Sequence, residues 1–288
     1  MKTCPTELRT IGNGWRMGMD LEYSIGAKTD VGMRRSNNED CFALVPHLNL
    51  CVLSDGMGGQ NAGEVAAKMT VDTIAGCVRE AGNGQKIAFG EPNPQVSEST
   101  NQLASAVRLA NRAVWEAGHK HVHTEGMGAT VVATWLRNSI MSIAHVGDSR
   151  IYLLRNGELQ QLTQDHSLVM EQVRRGLITA EEAEHSEMQN IIVRAMGAEE
   201  NVNVDVDEVL LLPGDHVVLC SDGLTKMVND AGISQIVLEA ASSQQAAERL
   251  VEAANDAGGD DNVTVIVVRV QQAKPKGFLA LLKSLFME

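Results

Sequence analysis

Apolar residues along this chain fall into short runs and alternations broken by turns, with two longer stretches of helical spacing. The segments 48–53, 128–136, 139–147, 150–156, 207–212, 216–221 and 262–270 carry compact Val/Ile/Leu/Ala/Cys runs bounded by Gly, Asn, Asp or Ser, a pattern that predicts strands. From Leu21 onward the chain therefore reads as strands, then two helices, then strands again. The first helix is predicted over 61–81, where Val71, Ile74, Ala75 and Val78 recur at three-to-four spacing. The second is predicted over 102–118, with Leu103, Val107, Ala110 and Val114 on one stripe. Segment 82–100 holds Gly, Pro, Asn and Ser without period and reads as a surface loop. Asn156-Gly157 between two strand patterns predicts a hairpin. Segment 163–197 breaks the strand rhythm, and Thr179 with Glu182 fits a capping box opening a short helix there. Two further helices are predicted near 232–241 and 243–256, before a last strand. Helices inserted between meandering strands point to an α+β fold.

Composition narrows the class. With 44% hydrophobic but only 3% aromatic residues, the core is built from Ala, Val, Leu, Ile and Met. A net charge of −13 argues against a nucleic-acid binder, which needs a basic face. Five scattered cysteines, without CxxC spacing, predict reduced thiols in a cytoplasmic protein. No signal peptide is read at the start, and no apolar run is long enough for a membrane span.

The acidic residues at strand ends carry the chemistry. Ser-Asp-Gly closes two distant apolar runs, at Asp55 and Asp222. Asp-Gly is by itself common turn chemistry. Asp148, however, ends the 139–147 run, Asp261 precedes the last strand, and Asp40 precedes "CFALV". In an antiparallel arrangement strand ends and neighbouring strand starts share a rim, where these five aspartates would meet. Carboxylates gathered in a cleft oppose one another's ionisation, and hard divalent cations with oxygen ligands are their natural counterweight. The glycines of "DGMGG" permit close backbone approach, so the Gly56 carbonyl is a further candidate ligand.

The segments "RRSNNED", "SDGMGG", "GMGAT", "VGDSR", "QDHS", "SDGL" and "GGDDNVTV" occur in the order and spacing of the metal-dependent protein Ser/Thr phosphatases (the PPM, or type 2C, family), from about Ile25 to Val270. The chain resembles the bacterial branch through "DGMGG". The resemblance implies a four-layer αββα sandwich, two antiparallel sheets flanked by helix pairs. It implies a catalytic domain over 21–272 with a flap at about 163–197, preceded by an N-terminal extension over 1–20.

It further implies hydrolysis of phosphoserine and phosphothreonine by direct attack of a water bridging two tightly bound Mn²⁺ or Mg²⁺ ions. Asp55 would bridge the ions, Gly56 would lend its carbonyl to one, and Asp222 and Asp261 would bind the other. Asp40 would hold metal-bound water, with Glu39 supporting it, and Arg35 would grip the substrate phosphate through its bidentate fork. Asp148, with Asp222, would hold a weaker third ion. Met57 departs from animal members, which carry a histidine there as proposed general acid. Phosphorylated proteins would be the substrates, opposed by a bacterial Ser/Thr kinase that is itself a candidate substrate, and the chain would act as a monomer. The alternatives are a non-catalytic phosphoprotein-binding module of the same fold, whose mark would be lost aspartates, and a small-molecule phosphohydrolase.

Other features carry less. His119, His121 and His123 lack a partner to complete a tetrahedral zinc site. His166 reads as a structural hydrogen-bonder, Asn262 as a sequon without glycosylation, and no P-loop supports a kinase. The tail 273–288 places Phe278, Leu281, Leu282, Leu285 and Phe286 at helical spacing beside Lys274, Lys276 and Lys283. Packing against its own domain or partial disorder is the favoured reading, and weak docking on a membrane or partner the alternative.

Overall fold

The computed structural model describes residues 21–58, 62–120, 126–184, 186 and 188–273. The N-terminal extension, the tail from Lys274 onward, and His121 and His123 therefore lie outside the described residues.

The elements run β1 (Leu21–Asp30), β2 (Asp40–Val45), β3 (Leu50–Met57), α1 (Ala62–Gly82), α2 (Glu98–Lys120), β4 (Gly128–Ala129), β5 (Val131–Arg137), β6 (Ile140–Val146), β7 (Arg150–Arg155), β8 (Glu158–Gln161), α3 (Leu168–Arg174), α4 (Ala180–Glu184), β9 (Asp205–Leu210), β10 (His216–Cys220), α5 (Asp222–Thr225), α6 (Asp230–Glu239), α7 (Ser243–Asp256) and β11 (Val263–Gln272). The strands form two antiparallel sheets, ordered β1-β11-β10-β7-β8 and β2-β3-β5-β6-β9, with β4 added to the end of β3.

Three apolar clusters account for the layering. Leu53, Val132, Ile143, Leu219, Ile266 and Val268 pack between the sheets. On the outer face of one sheet, Val71, Ile74 and Val78 of α1 and Leu103, Val107 and Val114 of α2 meet Val52, Ala133 and Trp135. On the other, Ile233 and Val237 of α6 and Leu250, Val251 and Ala254 of α7 cover Tyr152, Val218 and Val265. The result is the expected four-layer αββα sandwich. Sheets covered on both faces explain why β3, β10 and β11 read as nearly continuous apolar runs, since neither face can be polar.

Local chemistry sets the boundaries. Asn156 and Gly157 both take positive φ (54° and 84°), the twist that a two-residue hairpin requires. The Asn229 and Ser242 side chains accept from Gly232 N and Gln245 N at 2.9 and 3.1 Å, capping α6 and α7. Thr179 and Glu182 exchange reciprocal bonds at the start of α4, Thr179 N to Glu182 Oε2 at 2.7 Å and Glu182 N to Thr179 Oγ1 at 3.1 Å. α2 begins at Glu98, earlier than its apolar stripe suggests, because its polar first turn is held by Ser97 and by Glu208 of β9. It also runs on through His119, whose Nδ1 meets the Trp115 carbonyl at 2.8 Å as one turn of helix allows. Within 163–197 a second helix, α3, accompanies the expected one.

Candidate active site

The antiparallel ladders bring together one end of several strands. Asp40 opens β2 directly opposite Asp55 near the end of β3. Asp148 lies in the turn from β6 to β7, Asp222 opens α5 just after β10, and Asp261 precedes β11. The Asp55 carboxyl feels the charges of Asp40, Asp222, Asp148 and Asp261, so all five predicted aspartates share one cluster.

Burial and mutual repulsion act on its carboxylates together. Burial foremost, then the four neighbouring aspartates, pushes Asp55 well above the usual carboxylate range. Burial likewise leads in raising Asp40 to about 7, against a hydrogen bond from Ser221 Oγ at 2.8 Å. It also leads in raising Asp148 to about 7, with Asp222 and Asp165 adding to it. Asp40 Oδ1, Asp148 Oδ1 and Asp222 Oδ1 are buried without a hydrogen-bond partner among the described residues. Orphaned buried oxygens are costly, and here three converge.

Two cations stand at the edge. Lys226 Nζ contacts Asp222 Oδ2 at 2.5 Å and lies 3.9 Å from Asp261 Oδ2. Burial works against the Lys226 ammonium, yet Asp222 and Asp261 hold its pKa above the ordinary lysine value. Arg35 Nη2 donates to Asp261 Oδ2 at 3.0 Å from a half-exposed position, whereas the Arg34–Asp260 pair is exposed on both sides. These two charges leave most of the acidity uncompensated. An all-oxygen set with orphaned lone pairs and no thiolate or imidazole among them fits a hard divalent ion such as Mg²⁺ or Mn²⁺.

The backbone around the cluster is close-packed. A Cβ on Gly56 would lie 2.1 Å from the Gly63 carbonyl oxygen and 2.7 Å from that of Glu39, so only glycine fits between α1 and the start of β2. Glu39 is tied on both sides, accepting from Gly56 N through its carbonyl at 3.1 Å and donating its N–H to Asn262 Oδ1 at 2.8 Å. Its carboxyl is raised, by burial first. Met57 follows on β3 opposite Gly128, a thioether with no proton to give.

Two supporting residues were not singled out for this role from the sequence. Asn262 donates Nδ2 to the carbonyls of Val31 and Asn37 at 2.9 and 2.8 Å, stapling the segment that carries Arg35 and Asp40 to the start of β11. Lys226 lies four residues after Asp222, a spacing that marks an ion pair once a helix is drawn from Asp222.

A family model described as protein phosphatase 2C matches residues 33–257. The protein phosphatase PhpP of Streptococcus pneumoniae is 35% identical over 255 residues, covering 86% of this chain and 98% of that protein. Among solved structures, the Mycobacterium tuberculosis serine/threonine phosphatase PstP/Ppp superposes with a TM-score of 0.75 at 35% identity, over 87% of this chain and 99% of that one. The catalytic domain of serine/threonine protein phosphatase PstP in complex with two manganese ions superposes with a TM-score of 0.73 at 36% identity, over 88% of this chain and 100% of that one.

Proposed function

The chain belongs to the protein phosphatase 2C family, and from that premise we propose that it hydrolyses phosphoserine and phosphothreonine on proteins with Mn²⁺ or Mg²⁺ held by its aspartate cluster. The observation that carries the reading is the convergence of five carboxylates with three orphaned buried oxygens. In this reading Asp55, the Gly56 carbonyl, Asp222 and Asp261 hold two ions, and Asp40 orients solvent beside them. Asp148 and Asp222 hold a weaker third. When bound, the ions supply a nucleophile from solvent near neutral pH and positive charge against the phosphoryl oxygens.

The chain's own residues do the rest. Arg35 stands at the rim with Nη2 on Asp261 Oδ2, placed to exchange that carboxylate for a substrate phosphate through its fork. Ser221 Oγ fixes one oxygen of Asp40, and the other has no hydrogen-bond partner among the described residues. Glu39 steadies the junction between β2 and β3, and Lys226 balances part of the charge on Asp222. Because Met57 cannot donate a proton, the departing serine or threonine oxygen takes one from water. The net change is phosphoester plus water to alcohol plus phosphate. An opposing Ser/Thr kinase supplies the phosphoproteins, and the catalytic unit over 21–272 acts as a monomer.

The test is turnover of a phosphothreonine peptide and of p-nitrophenyl phosphate by chelator-stripped protein, before and after Mn²⁺. No turnover is expected before and full turnover after, with Asp261→Ala inactive under both conditions. Activity surviving exhaustive chelation would overturn the metal reading. Turnover of phosphometabolites with none on phosphopeptides would favour the small-molecule alternative, and no turnover on any substrate the non-catalytic one.

A further inference from the structure

Behind Asp148 lies a second cluster that the reaction as described does not use. His145 on β6, His166 in the loop after β8 and Asp205 at the start of β9 place one ligand-type atom each within 4.8 Å of one another. The two imidazoles stack, with centroids 4.9 Å apart and planes 15° from parallel. A metal ion is not their natural occupant. Arg194 Nη1 already sits 2.6 Å from Asp205 Oδ1 and 2.9 Å from His166 Nε2, in the place a cation would take.

The hydrogen bonds point instead toward Gly147. Its N–H donates to His166 Nδ1 at 3.0 Å, and its carbonyl accepts from the His166 N–H at 3.0 Å. The residue before Asp148 is thus gripped on both its amide and its carbonyl by one histidine. An Nδ1 that accepts carries no proton, so the neutral ring bears it on Nε2, which faces Asp205 Oδ2 at 3.2 Å, and the nearby Arg194 N–H is then given to Asp205 Oδ1 and not to the ring. Burial opposes the Asp205 charge, yet the hydrogen bond from His166 and the charge of Arg194 hold its carboxyl down at about 2. Asp205 therefore stays an acceptor and keeps His166 in the tautomer that Gly147 needs.

The turn has little other freedom. Gly147 takes φ 104°, and a Cβ there would lie 2.6 Å from Thr130 Cβ. Ser149 Oγ shares a 2.6 Å hydrogen bond with Thr130 Oγ1, which also accepts from Asp55 N at 3.1 Å. Asp148 thus sits between an anchor to β3 on one side and His166 on the other. His166 is only 7% exposed, too deep to meet a phosphopeptide.

We propose that His166 is a positioning residue that clamps Gly147 and so aims the Asp148 carboxylate at Asp222, completing the weakest of the cation sites. The proposal rests on the metal-dependent reading of the aspartate cluster. His166 touches neither substrate nor cation and acts through the Asp148 turn alone. Groups that orient a ligand in this way are worth about 10–100-fold in metal affinity or activity.

The test uses the full chain with His166→Ala, His166→Asn and His166→Gln. Mn²⁺ is titrated calorimetrically into stripped protein, and kcat and KM are measured on a phosphothreonine peptide. His166→Ala should weaken the weakest Mn²⁺ step about tenfold and lower kcat about tenfold, with KM within about twofold. In His166→Asn the amide oxygen falls near the Nδ1 position and can take the Gly147 N–H, so both quantities should return to within about threefold of wild type. His166→Gln places its amide near Nε2 and should not rescue. Equal losses in Asn and Ala, or a wild-type Mn²⁺ isotherm in His166→Ala, would overturn the proposal. If His166→Ala fails to fold, the Asn–Gln comparison decides alone. An inactive wild type would overturn the phosphatase reading, while the isotherms would still decide the role of His166.

Discussion

Replacing Asp148 by Asn should flatten the pH dependence of stability in the metal-stripped protein. Burial first, then Asp222, raises Asp148 from 3.8 to about 7. An acid raised in the folded state costs stability above that value, where it is ionised folded and unfolded alike. The cost is relieved as pH falls through the raised value. Between about pH 8 and about pH 5.5 the carboxyl crosses roughly 1.5 units of that range, which at about 1.36 kcal/mol per unit returns about 2 kcal/mol. An amide has no such dependence. For a domain of this size the difference is about 4–8 °C in Tm. His145 and His216, held low foremost by burial, act in the opposite sense and are present in both proteins, so the comparison cancels them. Calorimetric melts at both pH values, with chelator and with saturating Mn²⁺, make the measurement. Stripped Asp148→Asn should melt above wild type at about pH 8, and the gap should narrow by about 4–8 °C at about pH 5.5. With Mn²⁺ the order should reverse, because the variant has lost a ligand. A variant with the wild-type slope when stripped, or one still more stable with Mn²⁺ bound, would refute the reasoning.

Two further outcomes follow from the same geometry. Asp148→Ala should keep both tight Mn²⁺ ions while kcat falls more than KM rises, whereas Asp222→Ala should weaken tight Mn²⁺ binding by more than about a hundredfold, beyond the 10–100-fold of an outer partner. Calorimetric titration of both variants separates them, and loss of the tight ions in Asp148→Ala would mean that Asp148 belongs to the central site. Gly56→Ala must push apart backbone now 2.1 Å from the added carbon, so it should lose about 1–3 kcal/mol, read as a fall in the denaturation midpoint; an unchanged midpoint would show that the α1 contact is soft.

The parts legible in the sequence are those whose cause is local. The Asn156-Gly157 hairpin, the Thr179–Glu182 cap and the inward stripes of α1 and α2 depend on residues within a few positions of one another. The aspartates were legible for a related reason, since each closes or opens an apolar run and antiparallel pairing sends such ends to one rim. The capped helix α3 was not, because only Val169 among its residues is buried and no apolar period marks it.

What the pattern could not reveal is which distant partner a polar side chain meets. Asn262 reads locally only as a sequon within "GGDDNVTV", which gives it no role of its own, yet its amide reaches carbonyls 231 and 225 residues away and fixes the approach of Arg35 and Asp40. His166 reads in isolation as one more buried hydrogen-bonder. Its role appears only when the loop after β8 lies against the β6–β7 turn, bringing Nδ1 onto Gly147 and Nε2 onto Asp205 from opposite sides. The acidic residues thus declare themselves by where strands end, whereas the polar groups that support them are set by tertiary pairing, and single-residue chemistry cannot rank them. The same asymmetry explains why Arg194 is invisible as a partner until β9 and the segment before it close around His166. A site of this kind is specified twice, once by charge at strand ends and once by neutral hydrogen bonds between segments far apart in the chain.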